Sequence, residues 1–591
     1  MERIGVETSL HAKAGRLLQM VIRYKKLEEL LNVRKQMNDM KISCAPTNSG
    51  HENWDNINWN RCNAMIRKLQ ARIVKAQKEG RYGKVKALQW TLTHSFSAKA
   101  MAVKRVTTNK GNKTSGIDKI IWSTSDAKIN AIAELNRKGY KPSPLKRVNI
   151  RKSNGKLRPL GIPTMKDRAM QALYLMALDP VAETTADRHS YGFRKERSTQ
   201  DAIEQCFNAL SKDYHAQWIL EGDIKGCFDH ISHDWLLDNI PIDRVILKKW
   251  LKCGFIFKKQ LFPSEEGTPQ GGIISPTLAN MTLDGIQNML AKECRPVKIN
   301  KKRHHPKVNL VRYADDFIIT AKSKEMLEQK IIPLIKEFLI QRGLTLSEEK
   351  TKITHINEGF DFLGFNLRKY KGTLLVKPSK GSQKKFLQNI KETIRHNRAS
   401  KQEVLIHTLN PKITGWTNYY RYSVASQTFS KLDHLIFCKV WEWAKRRHPN
   451  KGRYWIARRY FRTVHNQKWR FAVNVISKKE NVVLLLKKLA HTKITRYIKV
   501  KADANPYDAD WIPYFEKRET DKMLSTFKGQ RAMLRLWEKQ LRKCPICQKP
   551  IDRNVAWSMT ERIEENRTVK YLIHTHCRCK LKPFIDKEEP A

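Results

Sequence analysis

Val308-Asn309-Leu310-Val311-Arg312-Tyr313-Ala314-Asp315-Asp316-Phe317-Ile318-Ile319-Thr320 is the stretch on which the reading of this chain turns. Two apolar, β-branched arms flank a short turn, a pattern that predicts a β-hairpin with two adjacent carboxylates at its tip. Asp favours turns anyway. Yet two unit charges ~4 Å apart repel by roughly 4 kcal/mol at a surface-like dielectric. A rigid hairpin that fixes them there points to divalent cations as the compensating charge.

A second acidic motif lies upstream: Leu220-Glu221-Gly222-Asp223-Ile224-Lys225-Gly226-Cys227-Phe228-Asp229. Asp223 follows Trp218-Ile219-Leu220, which suits a buried strand. With Asp223 beside the hairpin tip, three carboxylates converge. Oxygen ligands at that density suit Mg²⁺, which keeps waters and takes substrate phosphates as further ligands. Two such ions ~3.5–4 Å apart can clamp an in-line phosphoryl displacement. The expected chemistry is nucleotidyl transfer.

The 591-residue chain is too long for one ordinary domain. Its 114 basic and 57 acidic residues give a formal charge of +57. A surplus of that size repels itself unless a polyanion is near, so nucleic acid is the expected partner, in salt-sensitive binding. No apolar run approaches the ~18 residues that span a bilayer, so no membrane partner is expected. Seven of the eleven cysteines are scattered singly and read as core residues of a reducing compartment. The N-terminus is basic but carries Glu2, Glu7, Glu28 and Glu29, unlike a transit peptide. Met37 offers an alternative start, and residues 37–58 read as a polar linker.

Residues 59–106 carry an apolar stripe that predicts an amphipathic pair of helices. Lys152 to Pro159 predicts a basic hairpin turning at Asn154-Gly155. Thr164 opens a helix that Pro180 should stop. A mixed α+β region follows to about residue 375, after which strands should disappear. Phe429, Leu432, Ile436, Val440 and Trp443 trace one helical face, so residues 380–447 read as a helical bundle.

Asp223 with Phe228-Asp229, then Gly267-Thr-Pro-Gln-Gly-Gly-Ile-Ile-Ser-Pro276, then Tyr313-Ala-Asp-Asp316, resembles in order and spacing the palm of the group II intron reverse transcriptase/maturase family. Arg158-Pro-Leu-Gly-Ile-Pro163, Tyr191-Gly-Phe-Arg194, Phe360-Asp-Phe-Leu-Gly-Phe365 and Asn410 to Arg421 agree. The resemblance implies an α+β right-hand polymerase: an N-terminal extension and linker (1–54), fingers and palm (55–375), thumb or maturase domain X (376–465), a DNA-binding region (466–540) and a small zinc module (541–591). It implies that Asp223, Asp315 and Asp316 hold two Mg²⁺ ions, with the Ile224 carbonyl as a further ligand. Lys156 and Arg158 would grip the triphosphate. Phe228 would lie under the incoming sugar and exclude a 2′-hydroxyl, and Gln270 would approach the nucleotide from a glycine-rich loop. Phe362-Leu363-Gly364 would support the primer strand. Gly415, Trp416, Asn418, Tyr419, Tyr420 and Arg421, with the basic run Arg446, Arg447 and Lys451, would contact nucleic acid.

Near the C-terminus, Cys544-Pro-Ile-Cys547 is half of a zinc knuckle, and His574-Thr-His576-Cys577-Arg-Cys579 supplies the rest. Cys544, Cys547, Cys577 and Cys579 are the expected ligands, with His576 an alternative fourth. The family often carries an HNH endonuclease here, with a histidine pair between the cysteine pairs. Residues 551–573 contain no histidine, so the expectation is a shortened module that kept its metal and lost its nuclease. The expected function is RNA-directed DNA synthesis by a protein that binds its own intron RNA, assists splicing and copies the intron after insertion into target DNA. Its setting would be a cytoplasmic, prokaryotic ribonucleoprotein. Rival readings are a splicing-only RNA-binding protein and a reverse transcriptase diverted to antiviral defence or CRISPR-linked acquisition.

Overall fold

The computed structural model describes residues 53–580 apart from 152–154, 156, 300–301, 465, 478–479, 527–530, 553–554 and 565–566. The N-terminal extension with Met37, the Asn154 turn and Lys156 lie outside the described residues, as does the side chain of Cys579. Two compact units divide at residues 503 and 504.

Three helices open the first unit, not the expected pair: α1 (Trp59–Lys78), α2 (Tyr82–His94) and α3 (Phe96–Thr108). Ser95 makes the extra break. Its backbone is extended, and its side chain caps α3 by accepting the amide of Ala98. All three helices pack against α4 (Met165–Thr185). Thr164 caps α4 as the sequence suggests, but Pro180 does not end it. A proline inside a helix orphans the carbonyl four residues back. Here that carbonyl, of Met176, accepts from the amide of Gln70 on α1 at 2.8 Å. The next carbonyl, of Ala177, accepts from Gln89 on α2 at 3.2 Å. Tertiary donors replace the lost helical bond, so the helix continues.

Strands β1 (Leu145–Arg151) and β2 (Leu157–Ile162) form the basic hairpin, extended by a parallel pairing of β1 with Phe255–Phe257. The central sheet consists of β3 (Trp218–Gly222), β4 (Asn309–Tyr313), β5 (Asp316–Ala321) and β6 (Lys352–His355). Its order is β6-β3-β5-β4, antiparallel throughout. Ile219, Leu220, Leu310, Val311 and Phe317–Ile319 are buried in it. A smaller sheet of β7 (Phe360–Phe362), β8 (Phe365–Tyr370) and β9 (Thr373–Pro378) leads into the helices α5 (Lys380–His396), α6 (Gln402–Tyr420) and α7 (Ser426–Arg447). The α7 face traced from the sequence is buried at each of its five positions.

Strands do not disappear after residue 375. A three-stranded sheet, β10 (Phe461–Val464), β11 (Gln467–Ser477) and β12 (Glu480–Leu485), packs on α6. There Gln402 donates to the carbonyls of Tyr460 and Ala472. Arg470, Phe471 and Ala472 are buried in succession, so no alternation marks the strand in the sequence. The division between units falls inside the region expected as one DNA-binding segment, 466–540, and the sheet at its start packs on α6.

The second unit holds two helices, Ile512–Thr526 and Arg531–Lys539, and the hairpin β13 (Trp557–Glu564) and β14 (Arg567–His574). Its core gathers Met523, Trp537, Cys544, Ile551, Leu572, Ile573 and Cys577. Among the described residues no helix is long and apolar enough to cross a membrane.

Replacing Gln70 with Ala should strand the Met176 carbonyl beside Pro180. The expected loss is about 1–3 kcal/mol of stability in the first unit, read as a lower denaturation midpoint. An unchanged midpoint would mean water satisfies that carbonyl equally well.

Candidate active site

The β4–β5 hairpin closes with Tyr313 opposite Asp316, leaving Ala314 and Asp315 as its turn. Ala314 has φ 59, a left-handed conformation that disfavours a side chain. Its neighbours hold it there. Tyr191 donates to the Arg312 carbonyl and Arg312 donates to that of His189, both at 2.9 Å. Gly192 then lies so close that a Cβ would sit 2.3 Å from the Ala314 nitrogen. Beneath the turn, the wholly buried Arg312 donates to the Ala314 carbonyl at 3.3 Å and to Asn280 Oδ1 at 3.2 Å, and pairs with Asp284. Burial pushes the Asp284 carboxyl up to about 6 against the pull of Arg312.

Asp223 leaves the end of β3. The pair before it, Gly222 with Phe317, fixes the spacing of β3 and β5: a Cβ at 222 would lie 2.2 Å from the Phe317 ring. The carboxyls of Asp223 and Asp316 consequently reach hydrogen-bonding contact. Crowding by surrounding protein, then the charges of Asp315 and Asp223, push Asp316 up to about 7, although its side chain still reaches solvent. Burial and Asp223 also raise Asp315, while Arg158 on β2 pulls it down.

One partner escaped the sequence reading. Lys350 places Nζ 2.7 Å from Asp223 Oδ2. It arrives on a strap that docks backbone to backbone, Ser347 donating to the Asp223 carbonyl and Lys225 to that of Thr345. The bridge between Ile224 and Leu346 leaves the Ile224 carbonyl out of its own bonds. Nothing in sequence separates Lys350 from over a hundred other basic residues.

Phe228 sits on a short helical turn after Gly226 and meets Phe193 edge to face at 6.4 Å. The Gly267–Gly272 loop threads past it: Thr268 donates to the Phe228 carbonyl at 2.6 Å, and Gly161 at the end of β2 donates to that of Gln270 at 2.8 Å. Gln270 Nε2 lies 3.2 Å from Asp229 Oδ1. Phe228, Asp229, Gln270, Gly161 and Arg147 line a cavity of ≈ 440 Å³. The cavity is lined by Asp229 but by none of Asp223, Asp315 and Asp316; Arg158 of β2 acts on Asp315, and β2 also lines the cavity through Pro159 and Gly161.

The residues expected to touch nucleic acid divide. Gly415, Asn418, Arg446 and Lys451 are exposed. Tyr420 is buried and donates to the Gly364 carbonyl, and Tyr419 donates to that of Leu363. Trp416 stacks on Phe386 at 4.8 Å. Arg447 donates to the carbonyls of Arg398 and Ser400. These four bind the thumb helices to themselves and to the β7–β8 turn. Arg421 is half-buried, beside Tyr422.

In the second unit Cys544, Cys547, His574 and Cys577 bring their ligand atoms within 4.8 Å of one another. His574 stands with the three thiols where the sequence analysis expects Cys579 or His576, and the Cys579 side chain lies outside the described residues. The cause is the strand: His574 ends β14 opposite Trp557, its Nδ1 lies 3.2 Å from Cys547 Sγ, and its Nε2 meets the Pro550 carbonyl at 3.0 Å. His576, beyond the strand, is exposed. Burial acts to raise the Cys544 thiol, but the backbone amides of His574, Cys547 and Ile546 outweigh it and leave it lowered. Three thiols and an imidazole fit a tetrahedral zinc site.

The fold and the acidic face define a polymerase palm of the reverse transcriptase kind. Residues 150–367 match "Reverse transcriptase (RNA-dependent DNA polymerase)", residues 54–135 its N-terminal domain and residues 383–461 "Group II intron, maturase-specific domain". Protein YkfC of Escherichia coli is 33% identical over 302 residues, covering 45% of this chain and 79% of its own length. The group II intron-encoded protein LtrA of Lactococcus lactis subsp. cremoris is 32% identical over 329 residues, 45% of this chain and 54% of LtrA. Maturase-like protein 1 of Euglena gracilis is 25% identical over 382 residues, 63% of this chain and 78% of that one. A solved telomerase of Candida albicans with a telomeric RNA fragment has a TM-score of 0.31 at 14% identity, over 51% of this chain and 59% of that one, too distant to bear on the argument. The chain belongs to the group II intron-encoded reverse transcriptases and carries the family's polymerase and maturase domains.

Because Asp316 holds its proton up to about pH 7, a divalent cation must displace that proton below this pH and meets free carboxylates above it. The Mg²⁺ concentration for half-maximal primer extension should therefore rise as pH falls through 7, by up to about tenfold per unit for one competing proton. It should be nearly flat above pH 8. A flat response from pH 8 to 6 would remove the proton from the account.

Proposed function

We propose that this protein copies RNA into DNA at the Asp223–Asp315–Asp316 face and holds a group II intron RNA through its thumb and basic surface, assisting splicing and then copying the inserted intron. The observation that carries the reading is the meeting of Asp223, from the end of one strand, with Asp316, from a hairpin nearly a hundred residues away, under the charge of Arg158. Two Mg²⁺ ions bound there supply neutralising charge at the triphosphate and activation of the primer 3′-hydroxyl. The chain's own residues do the placing. The three carboxylates and the free Ile224 carbonyl are the ligand set. Arg158, with Lys156 beside it in sequence, grips phosphate oxygens. Phe228 forms the floor under the sugar, where a 2′-hydroxyl would collide with the ring. Gln270, braced by Asp229, lies along the same cavity.

Under this reading the fingers and palm occupy 55–375 and the thumb 376–465, with the β10–β12 sheet as a thumb appendage. The exposed Gly415, Asn418, Arg446 and Lys451 face intron RNA or the primer–template duplex, and target DNA is the second polyanion. The particle works as a cytoplasmic ribonucleoprotein. The second unit holds one structural zinc through Cys544, Cys547, His574 and Cys577. Residues 551–573, between the cysteine pairs, contain no histidine, which weighs against a nuclease centre. The intact acidic set weighs against a splicing-only protein, and the maturase-specific match weighs against a role in defence.

Primer extension on an RNA template tests the palm. Asp315→Ala should lose at least about a thousandfold in rate, some 4 kcal/mol of transition-state stabilisation, with RNA binding unchanged. Phe228→Ala should keep dNTP incorporation and gain rNTP incorporation by tenfold or more. Undiminished synthesis by Asp315→Ala would refute the assignment of the acids.

Elemental analysis tests the second unit. One zinc per chain is expected, lost in Cys547→Ser together with a lower melting transition for residues 504–591. A Cys579→Ser protein should keep its zinc. Retention by Cys547→Ser, or loss by Cys579→Ser, would overturn the ligand set.

A further inference from the structure

A second cavity, of ≈ 420 Å³, lies between α2 and the helix Arg244–Leu251. It shares no lining residue with the cavity under Phe228, and the polymerase reaction makes no use of it. On one wall Trp90 stacks on His94, ring centroids 4.2 Å apart and planes 23° from parallel, yet the indole remains 48% exposed. Tyr174, only 4% exposed, lines the cavity with its ring held edge-on to Trp250. Its hydroxyl has no hydrogen-bond partner among the described residues. Its oxygen opens into the cavity, where a ligand can meet it. Beside it, Arg137 pairs with Asp243. At the rim are Lys86, which makes no ion pair among the described residues, and Arg244, tied only to the exposed Asp238.

A partly open aromatic face, a deep phenol, a partly exposed Arg137–Asp243 pair and cations at the rim suit one chemical class. An aromatic face stacks any nucleobase, the phenol and the ion pair supply donors and acceptors, and the rim neutralises phosphate. The volume falls in the ~300–1,000 Å³ range of small-ligand sites. A base already paired in a duplex cannot offer its face and its edge together, so the occupant must be unpaired. We propose that this cavity takes a single unpaired nucleotide, its base on Trp90, its edge met by Tyr174 and the Arg137–Asp243 pair, its phosphate at Lys86 and Arg244. The nucleotide can be one flipped out of a bound RNA or a free mononucleotide; the recognition chemistry is the same.

The test uses the full chain and photo-crosslinking. The probe is a single-stranded oligoribonucleotide carrying one 8-azidoadenosine, alone or annealed to its complement, with AMP as competitor. Mass spectrometry should place the crosslink in residues 86–94 or 242–245. The yield should fall at least tenfold in Trp90→Ala and several-fold in Tyr174→Phe, which keeps the ring packing and so guards against misfolding of the first variant. Displacement by AMP identifies a free nucleotide as the source; resistance to AMP identifies an RNA segment. No crosslink in these segments, equal labelling by the annealed probe, or yields unchanged in both variants would overturn the proposal. Asp315→Ala should crosslink normally, and Trp90→Ala should extend primers normally, so an empty cavity and a silent palm are distinguishable failures.

Discussion

Arg312 and Asp284 form the constraint on which the acidic face depends. Removing a guanidinium from water costs several kcal/mol, recovered only if its bonds inside are good. Arg312 is wholly buried, and its Nε finds no partner among the described residues. What it gains is geometric. Its Nη2 pairs with Asp284, while Nη1 bonds both Asn280 Oδ1 and the carbonyl of Ala314 inside the hairpin turn. That turn must hold a left-handed alanine and two adjacent carboxylates, both unfavourable alone. A cation placed beneath it, rather than beside the carboxylates, fixes the turn without competing for the ligand oxygens. The neighbouring network, with Glu183 bonded by Arg194 at 2.6 Å and Arg197 at 3.2 Å, braces the loop that presses Gly192 against the same turn.

The legible parts of the sequence were those where periodicity and chemistry coincide. The hairpin arms are continuous apolar runs that carry their acids at the turn; Asp223 ends an apolar run; the α7 face recurs at helical spacing. What stayed hidden depended on partners distant in sequence. Pro180 reads as a stop because nothing local announces that Gln70, over a hundred residues earlier, will take the Met176 carbonyl. Lys350 is one lysine among many until the strap carrying it docks on β3. His574 and His576 look equivalent in sequence, but a strand end points one into the thiol cluster and leaves the other outside. The β10–β12 sheet was obscured because its burial does not alternate: Arg470, Phe471 and Ala472 are buried in succession while Trp469, Val482 and Val483 are exposed.

The aromatic motif of α6 shows how a correct family reading can misplace a role. Trp416, Tyr419 and Tyr420 have the composition of a stacking platform. Yet Tyr419 and Tyr420 spend their hydroxyls on the carbonyls of Leu363 and Gly364, and their rings pack on Phe365. Leu363 and Gly364 are both left-handed, with φ of 50 and 81, and a leucine there is strained by about 1–2 kcal/mol. The two tyrosines bind the strained turn from the thumb side. The thumb helices and the turn that would support a primer are thereby one mechanical piece.

Two cations approach the carboxylates in opposite ways, and the difference bears on how a strongly basic protein keeps an acidic site open. Arg312 is buried and immobile, and it sets where the acids stand. Lys350 is 65% exposed at the end of a flexible stem and bonds Asp223 directly. An exposed pair of this kind contributes only about 0–1 kcal/mol. It relieves repulsion among the acids in the absence of an ion, yet its weakness lets a divalent cation displace it at little cost. An arginine at position 350, with its fork geometry, would hold the carboxylate in two bonds and resist that exchange. A protein carrying +57 can thus bring a polyanion to its surface without its own cations filling the site that must receive metal. Among the described residues Lys350 is the lysine bonded to Asp223, and one exchangeable contact holds it.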